Sequence, residues 1–269
     1  MKSNISRLAM VVLCLGAGLP LGAQLSAPPE ESNAPKVLMV IREQLKEGRE
    51  AAHVKSEEAW PRLFAKINAP SHYLGMTAES GPSEAWFLEP YDSFGAMQKE
   101  REAILSSPIA PELEAANVVD GDLRTGSRTM LSVFRGDLSD RATEAMNSLP
   151  KCRFLSVTVL HIKYGHDDEL TQAAASDQPM LAYQVVSGGA SGTYLLFSPM
   201  DSLDRLDAAP ARQALGNRVP KHRETLPPEI VQGSERLLFS INPRMSYVSK
   251  EFAAADPDFW NPKPKPRAK

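Results

Sequence analysis

The order of apolar and polar positions in Ser80 to Phe94, SGPSEAWFLEPYDSF, comes back in Ser187 to Leu203, SGGASGTYLLFSPMDSL. Each stretch reads as a turn, an apolar strand, a proline that stops the strand, and a helix starting at an Asp-Ser pair, with the aspartate as N-cap. With Asp92 set over Asp201, Pro90 falls over Pro199, Ser93 over Ser202 and Phe94 over Leu203, an offset of 109 residues. The second stretch holds two more residues in its turn, where insertions are tolerated. The flanks match as well. KVLMVIREQLKEG from Lys36 lies over FLSVTVLHIKYG from Phe154, placing Lys46 over Lys163 and Gly48 over Gly165 at an offset of 117. SRTMLSVFRGDLS from Ser127 lies over SERLLFSINPRMS from Ser234 at an offset of 107. Three matches in one order predict two copies of a single unit within the chain.

The pattern also predicts the elements of each copy. Residues 36–44 form a strand that is apolar on both faces, so both sides must be covered. A helix over 49–68 carries His53, Ser56, Trp60, Leu63 and Ile67 on one stripe, with a kink or break expected at Pro61. A hairpin pairs 73–78 with 84–88, a helix runs over 92–105, and a helical segment over 112–119 leads through Asp120-Gly121 to a strand over 129–134. The second copy repeats this with strand 154–164, helix 167–176, hairpin 180–186 and 193–197, helix 201–215, a partly helical 222–230 and strand 236–241. The glycine-rich Ser187–Gly192 joins two strands, so it reads as a hairpin turn and not as a phosphate loop. Each copy is β-α-β-β-α-β, the ferredoxin-like order, and the fold class is α+β. Helices cover one face of such a sheet, and packing the bare face against the other copy removes apolar area worth roughly 25 cal/mol per Å².

This ordering resembles the dimeric α+β barrel superfamily, which includes the NIPSNAP and antibiotic-biosynthesis monooxygenase families, with its two subunits fused. The resemblance rests on element order over nearly all of the chain, and no catalytic signature accompanies it. It implies an intrachain α+β barrel and a choice of functions: plain ligand binding, cofactor-free oxidation, isomerisation or haem binding. The closing SINPRMSYVSKEFAAADPDFW is similar to exported bacterial proteins of no assigned activity.

The ends bear on location. Lys2 and Arg7, the apolar Leu8 to Leu21 and the small residues at Gly22-Ala23 read as a cleavable secretory signal over 1–23. No other segment is apolar enough to span a membrane, so a periplasmic or secreted protein is expected. Losing Lys2 and Arg7 takes the formal net charge from −3 to −5, which excludes a basic field for nucleic acid. Cys14 would leave with the signal, so Cys152 stands alone, better read as a small residue at a strand entrance than as a nucleophile. Residues 24–35 read as a linker, 36–140 and 152–252 as the two units, and 253–269, with its Pro-Lys alternation, as an extended tail.

Few residues suggest chemistry. His53, on the stripe with Trp60, could serve as a general base or, if placed correctly, as a haem ligand; the alternative is a half-buried histidine bonded to backbone. His161 alternates with Val157 and Val159 and falls over Gln44, as Val159 falls over Arg42. Arg42, Gln44 and His161 would then be inward polar groups able to orient a ligand, or else residues at a strand's wet end. No GxSxG, HExxH, CxxC, P-loop or dinucleotide fingerprint is present, and the histidines do not cluster as a metal site. The expectation is an exported barrel binding a small apolar or aromatic ligand, with the cofactor-independent oxygenase or isomerase and the haem protein as alternatives.

Overall fold

The computed structural model describes residues 32–163, 165–173, 178–207 and 228–261. Eight antiparallel strands close into one barrel: β1 (Val37–Leu45), β2 (Leu74–Ala78), β3 (Glu84–Tyr91), β4 (Arg124–Phe134), β5 (Phe154–Ile162), β6 (Leu181–Ser187), β7 (Thr193–Met200) and β8 (Val231–Ile241). Their order around the barrel is β1-β3-β2-β8-β5-β7-β6-β4. Two four-stranded sheets therefore join edge to edge, through β2 with β8 and β4 with β6, which leaves no free sheet edge.

The pairings keep the offsets seen in the sequence. Leu38 faces Pro90 as Leu155 faces Pro199, and Gln44 faces Gly126 as His161 faces Gly233. The register slips at the next residue in both halves, between Gln44 and Leu45 and between His161 and Ile162. Exchanging β1–β4 for β5–β8 leaves the strand order unchanged.

Alternation of side chains decides what each face meets. Leu38, Val40, Arg42 and Gln44 of β1 point inward, as do Leu155, Val157, Val159 and His161 of β5. Val40, Met76, Trp86, Val157, Leu195 and Phe239 are all but inaccessible and plug the middle of the barrel. The outward residues of β1 pack beneath α1 (Glu50–Glu57), α2 (Ala59–Lys66), α3 (Phe94–Leu105) and α4 (Ala110–Gly121). Among the described residues no helix is long and apolar enough to cross a membrane.

As expected near Pro61, the stretch over 49–68 is broken into two helices that part at Glu58, because the Pro61 ring crowds the carbonyl four residues earlier. Other local expectations change. Pro90 and Pro199 lie inside β3 and β7 and do not stop them. Pro90 is tolerated because β2 pairs with β3 only as far as Leu88, leaving a sheet edge where no donor is needed. The cap of α3 is Ser93, whose hydroxyl accepts from the Ala96 amide at 3.1 Å, and not Asp92. Asp120 and Gly121 belong to the last turn of α4 instead of the connection after it.

The tail is not extended from 253. Lys250–Ala254 and Pro257–Trp260 are short helices, and Trp260 is buried with its indole N–H donating to the Pro150 carbonyl at 2.7 Å. The linker is not free throughout either, since Ala34 is buried and the Tyr183 hydroxyl donates to the Pro35 carbonyl at 3.1 Å. A further helix, α5 (Ala142–Ser148), lies in the stretch between 36–140 and 152–252. The signal over 1–23, most of helix 201–215, most of 222–230 and the Pro-Lys end lie outside the described residues. Cys152 is buried, its thiol pushed up to about 12 by burial, with Sγ donating to the Leu149 carbonyl at 3.1 Å.

Candidate functional site

The plug divides the barrel interior into two ends. One end holds an apolar cavity of about 300 Å³ lined by Leu38, Leu74, Leu88, Leu155, Tyr183 and Phe197, with Phe252 from the C-terminal helices alongside. Its few polar neighbours, among them Asn33, His72 and Asp92, are the kind that fix orientation without filling the space. Burial holds the His72 imidazole below its usual range, and its ring stacks on Tyr247 with centroids 5.2 Å apart.

The other end is polar. A cavity of about 350 Å³ brings together Arg42, Gln44, Glu84, Arg128, His161 and Glu235. Arg42 grips Glu84 through Nε and Nη2 at 3.0–3.2 Å, reaches Glu235 at 3.4 Å, and lays its guanidinium 4.4 Å from the Trp86 ring centroid. The Trp86 indole N–H donates to Glu84 at 2.6 Å, so the plug and the polar floor are one hydrogen-bonded unit. On the facing strand His161 Nδ1 lies 3.0 Å from Thr193 Oγ1, and that hydroxyl donates to the Ala190 carbonyl at 2.6 Å. With its proton committed to Ala190, Thr193 can only accept from His161. Neutral His161 therefore carries its proton on Nδ1 and leaves a lone pair on Nε2. Both register slips flank this cavity, one after Gln44 and one after His161; bulges often sit where a strand re-aims side chains beside a site.

His53 and Trp60 are elsewhere, between the first sheet's outer face and its helices. His53 is fully buried, and its Nε2 lies 2.8 Å from Glu43 Oε2, 3.3 Å from Asp120 Oδ1 and 4.0 Å from Glu57 Oε1. Arg124 pairs with Glu43 Oε1 and, through Nε at 3.0 Å, with Asp120 Oδ2. Burial, then the negative charges of Asp120 and Glu43, push the Glu57 carboxyl up to about 9, so it holds a proton at neutral pH; burial also raises Asp120. A cavity of about 180 Å³ adjoins the cluster, lined by Glu57, Trp60, Tyr73, Glu89, Asp120 and Arg124. Trp60 lines it with its indole N–H unpartnered.

The residues around His53 do not fit a haem. The adjoining space is below the roughly 300–1,000 Å³ of ordinary small-molecule sites, Nε2 is engaged by Glu43, and the carboxylates would repel the propionates.

No protein-family model matches the sequence, and no curated protein matches it. Solved structures do. A candidate monooxygenase from Fusobacterium nucleatum superposes with a TM-score of 0.50 at 13% identity, covering 78% of this chain and 93% of its own. An anthrone oxidase-like protein gives the same score and identity over 78% and 92%. The fold is the dimeric α+β barrel. A chlorite dismutase from Candidatus Nitrospira defluvii has a TM-score of 0.44 at 11% identity over 78% and 92%. At such identities the likeness is one of fold, and in this barrel the chemistry has to be argued from its own side chains.

Three of the residues singled out from the sequence, Arg42, Gln44 and His161, share the polar end, whereas His53 and Trp60 share the sheet–helix space. The sequence reading missed Glu43, Glu57, Asp120 and Arg124. Asp120 was hidden because Asp-Gly reads as a turn. Glu43 carried one usable signal, a charge on a strand whose two faces are otherwise apolar.

Proposed function

We propose that this chain is an exported small-molecule-binding protein, built from two copies of one ferredoxin-like unit, that holds a small apolar or aromatic compound at the apolar end of its barrel. The corresponding pairing registers in the two halves support the duplication. The observation that carries the ligand reading is the cavity of about 300 Å³ lined by leucine, tyrosine and phenylalanine. Its size suits a compound of one or two rings, for which area removed from water is the main source of affinity. A panel of such compounds, read by thermal shift on the purified protein, is expected to contain binders that raise the melting temperature. Leu74→Trp, which fills the cavity from its rim, should abolish the shift while leaving the circular dichroism unchanged. A panel without a single binder would remove the reading.

A second reading, a cofactor-independent oxygenase or isomerase, is favoured by one observation at the opposite end. The Ala190–Thr193–His161 chain leaves Nε2 as a proton acceptor bordering a polar cavity, the state a general base requires. Nitrogen-15 spectra of the imidazoles should show His161 in the Nδ1–H form, and Thr193→Val should mix its tautomers. An Nε2–H form in the native protein ends this reading.

A further inference from the structure

We propose that Glu43, His53, Glu57 and Asp120 bind one divalent transition-metal ion, of the manganese, iron or zinc class, between the sheet and the helices of the first half. One donor atom from each of the four lies within 4.8 Å of all the others. An ion held at about 2.0–2.1 Å from its donors sets neighbouring donors ~3.0 Å apart in octahedral and ~3.4 Å apart in tetrahedral geometry. The Glu43 and Asp120 oxygens stand 2.8 and 3.3 Å from His53 Nε2, at that spacing already. Glu57, at 4.0 Å, needs to close by less than about 1 Å.

The four residues come from three elements: Glu43 from β1, His53 and Glu57 one turn apart on α1, and Asp120 from the end of α4. Arg124 supports the site from behind. It takes the outer oxygens, Glu43 Oε1 and Asp120 Oδ2, and leaves Oε2 and Oδ1 aimed at His53, which is how outer partners orient metal-binding carboxylates. Glu43 and Asp120 together face a single guanidinium, which leaves negative charge in a buried place that an ion of charge +2 would compensate.

One buried polar atom without a partner points to a missing ligand independently of the acidic residues. Tyr73 is 6% exposed and its hydroxyl has no hydrogen-bond partner, although the residue lines the same cavity as Glu57 and Asp120. An ion would coordinate Asp120 Oδ1, and water on the ion, housed in the cavity, would reach towards Tyr73. An imidazole among carboxylates favours manganese, iron or zinc over calcium and magnesium, which take oxygen ligands alone.

The test uses the purified protein after chelator treatment, titrated with Mn²⁺ or Zn²⁺ alone in a calorimeter. Binding of one ion per chain is expected, at least tenfold weaker in Asp120→Asn and in Glu57→Gln, and unchanged in His161→Gln. Pulsed electron paramagnetic resonance of the Mn²⁺-loaded native protein should show a directly bound nitrogen, a readout that depends on no variant's folding. Absence of one-to-one binding by the folded native protein, affinity undiminished in both carboxylate variants, or bound Mn²⁺ without nitrogen coupling would each overturn the proposal and leave the cluster a buried ion-pair network.

Discussion

Arg124→Met is expected to lower folding stability by about 3–5 kcal/mol at neutral pH in chelator-treated protein, the loss typical of removing one partner from a buried ionic group. Methionine keeps an apolar stem of similar length, so the loss reports the charge and not the packing. In the native chain Arg124 is 16% exposed at its side chain and answers two carboxylates buried to 6% and 1%. Without it the buried Glu43 and Asp120 carboxylates lose the guanidinium that both of them bind. The comparison that decides the matter is Arg62→Met, which breaks an ion pair whose arginine is 68% exposed; such pairs are worth about 0–1 kcal/mol. Urea unfolding of both variants measures the difference. Equal losses would show that the cluster contributes no more than a surface pair.

The architecture was legible because barrel strands carry a period-two signal that little else imitates. The alternation in VLMVIREQ and in FLSVTVLH puts Arg42 over Val159 and Gln44 over His161, and those four do face one interior. Junctions were less legible. A proline after an apolar run ordinarily ends a strand, yet Pro90 sits where β3 has lost one neighbour, and only the register reveals that. Asp92 and Ser93 are both good capping residues, and the choice between them depends on a backbone angle that composition does not encode.

The sheet–helix cluster was the least legible part for a physical reason. His53 and Glu57 share a helix face and could have been paired by spacing, but Glu43 comes from a strand and Asp120 from a helix end 63 positions beyond Glu57. Only closure of the helical layer over β1 brings them together. The same layer differs between the two halves although their strands agree. The position over Glu43 in the second half is Leu160, buried among Ile162, Leu170 and Tyr194. Among the described residues that position is apolar and offers no counterpart to the Glu43 carboxylate.

Trp86→Ala should cost about 3–5 kcal/mol, at the top of the range for core truncations, because the surrounding barrel wall cannot collapse into the space. Trp86 is wholly buried at the centre of β3, its ring centroid 5.0 Å from that of Phe239 across the interior. Two further losses add to the cavity: Glu84 gives up its indole donor, and the Arg42 guanidinium gives up the aromatic face beneath it. The second effect should reach the polar end, since Arg42 is held by Glu84 and by that ring. Trp86→Phe separates the two contributions, as it restores much of the volume without the N–H donor, and should recover more than half of the loss. Leu105→Ala is the reference for a large apolar side chain in solvent, 71% exposed, with an expected change within about 0.5 kcal/mol. If Trp86→Ala unfolds at the same urea concentration as Leu105→Ala, the middle of the barrel is not the plug that keeps its two ends apart.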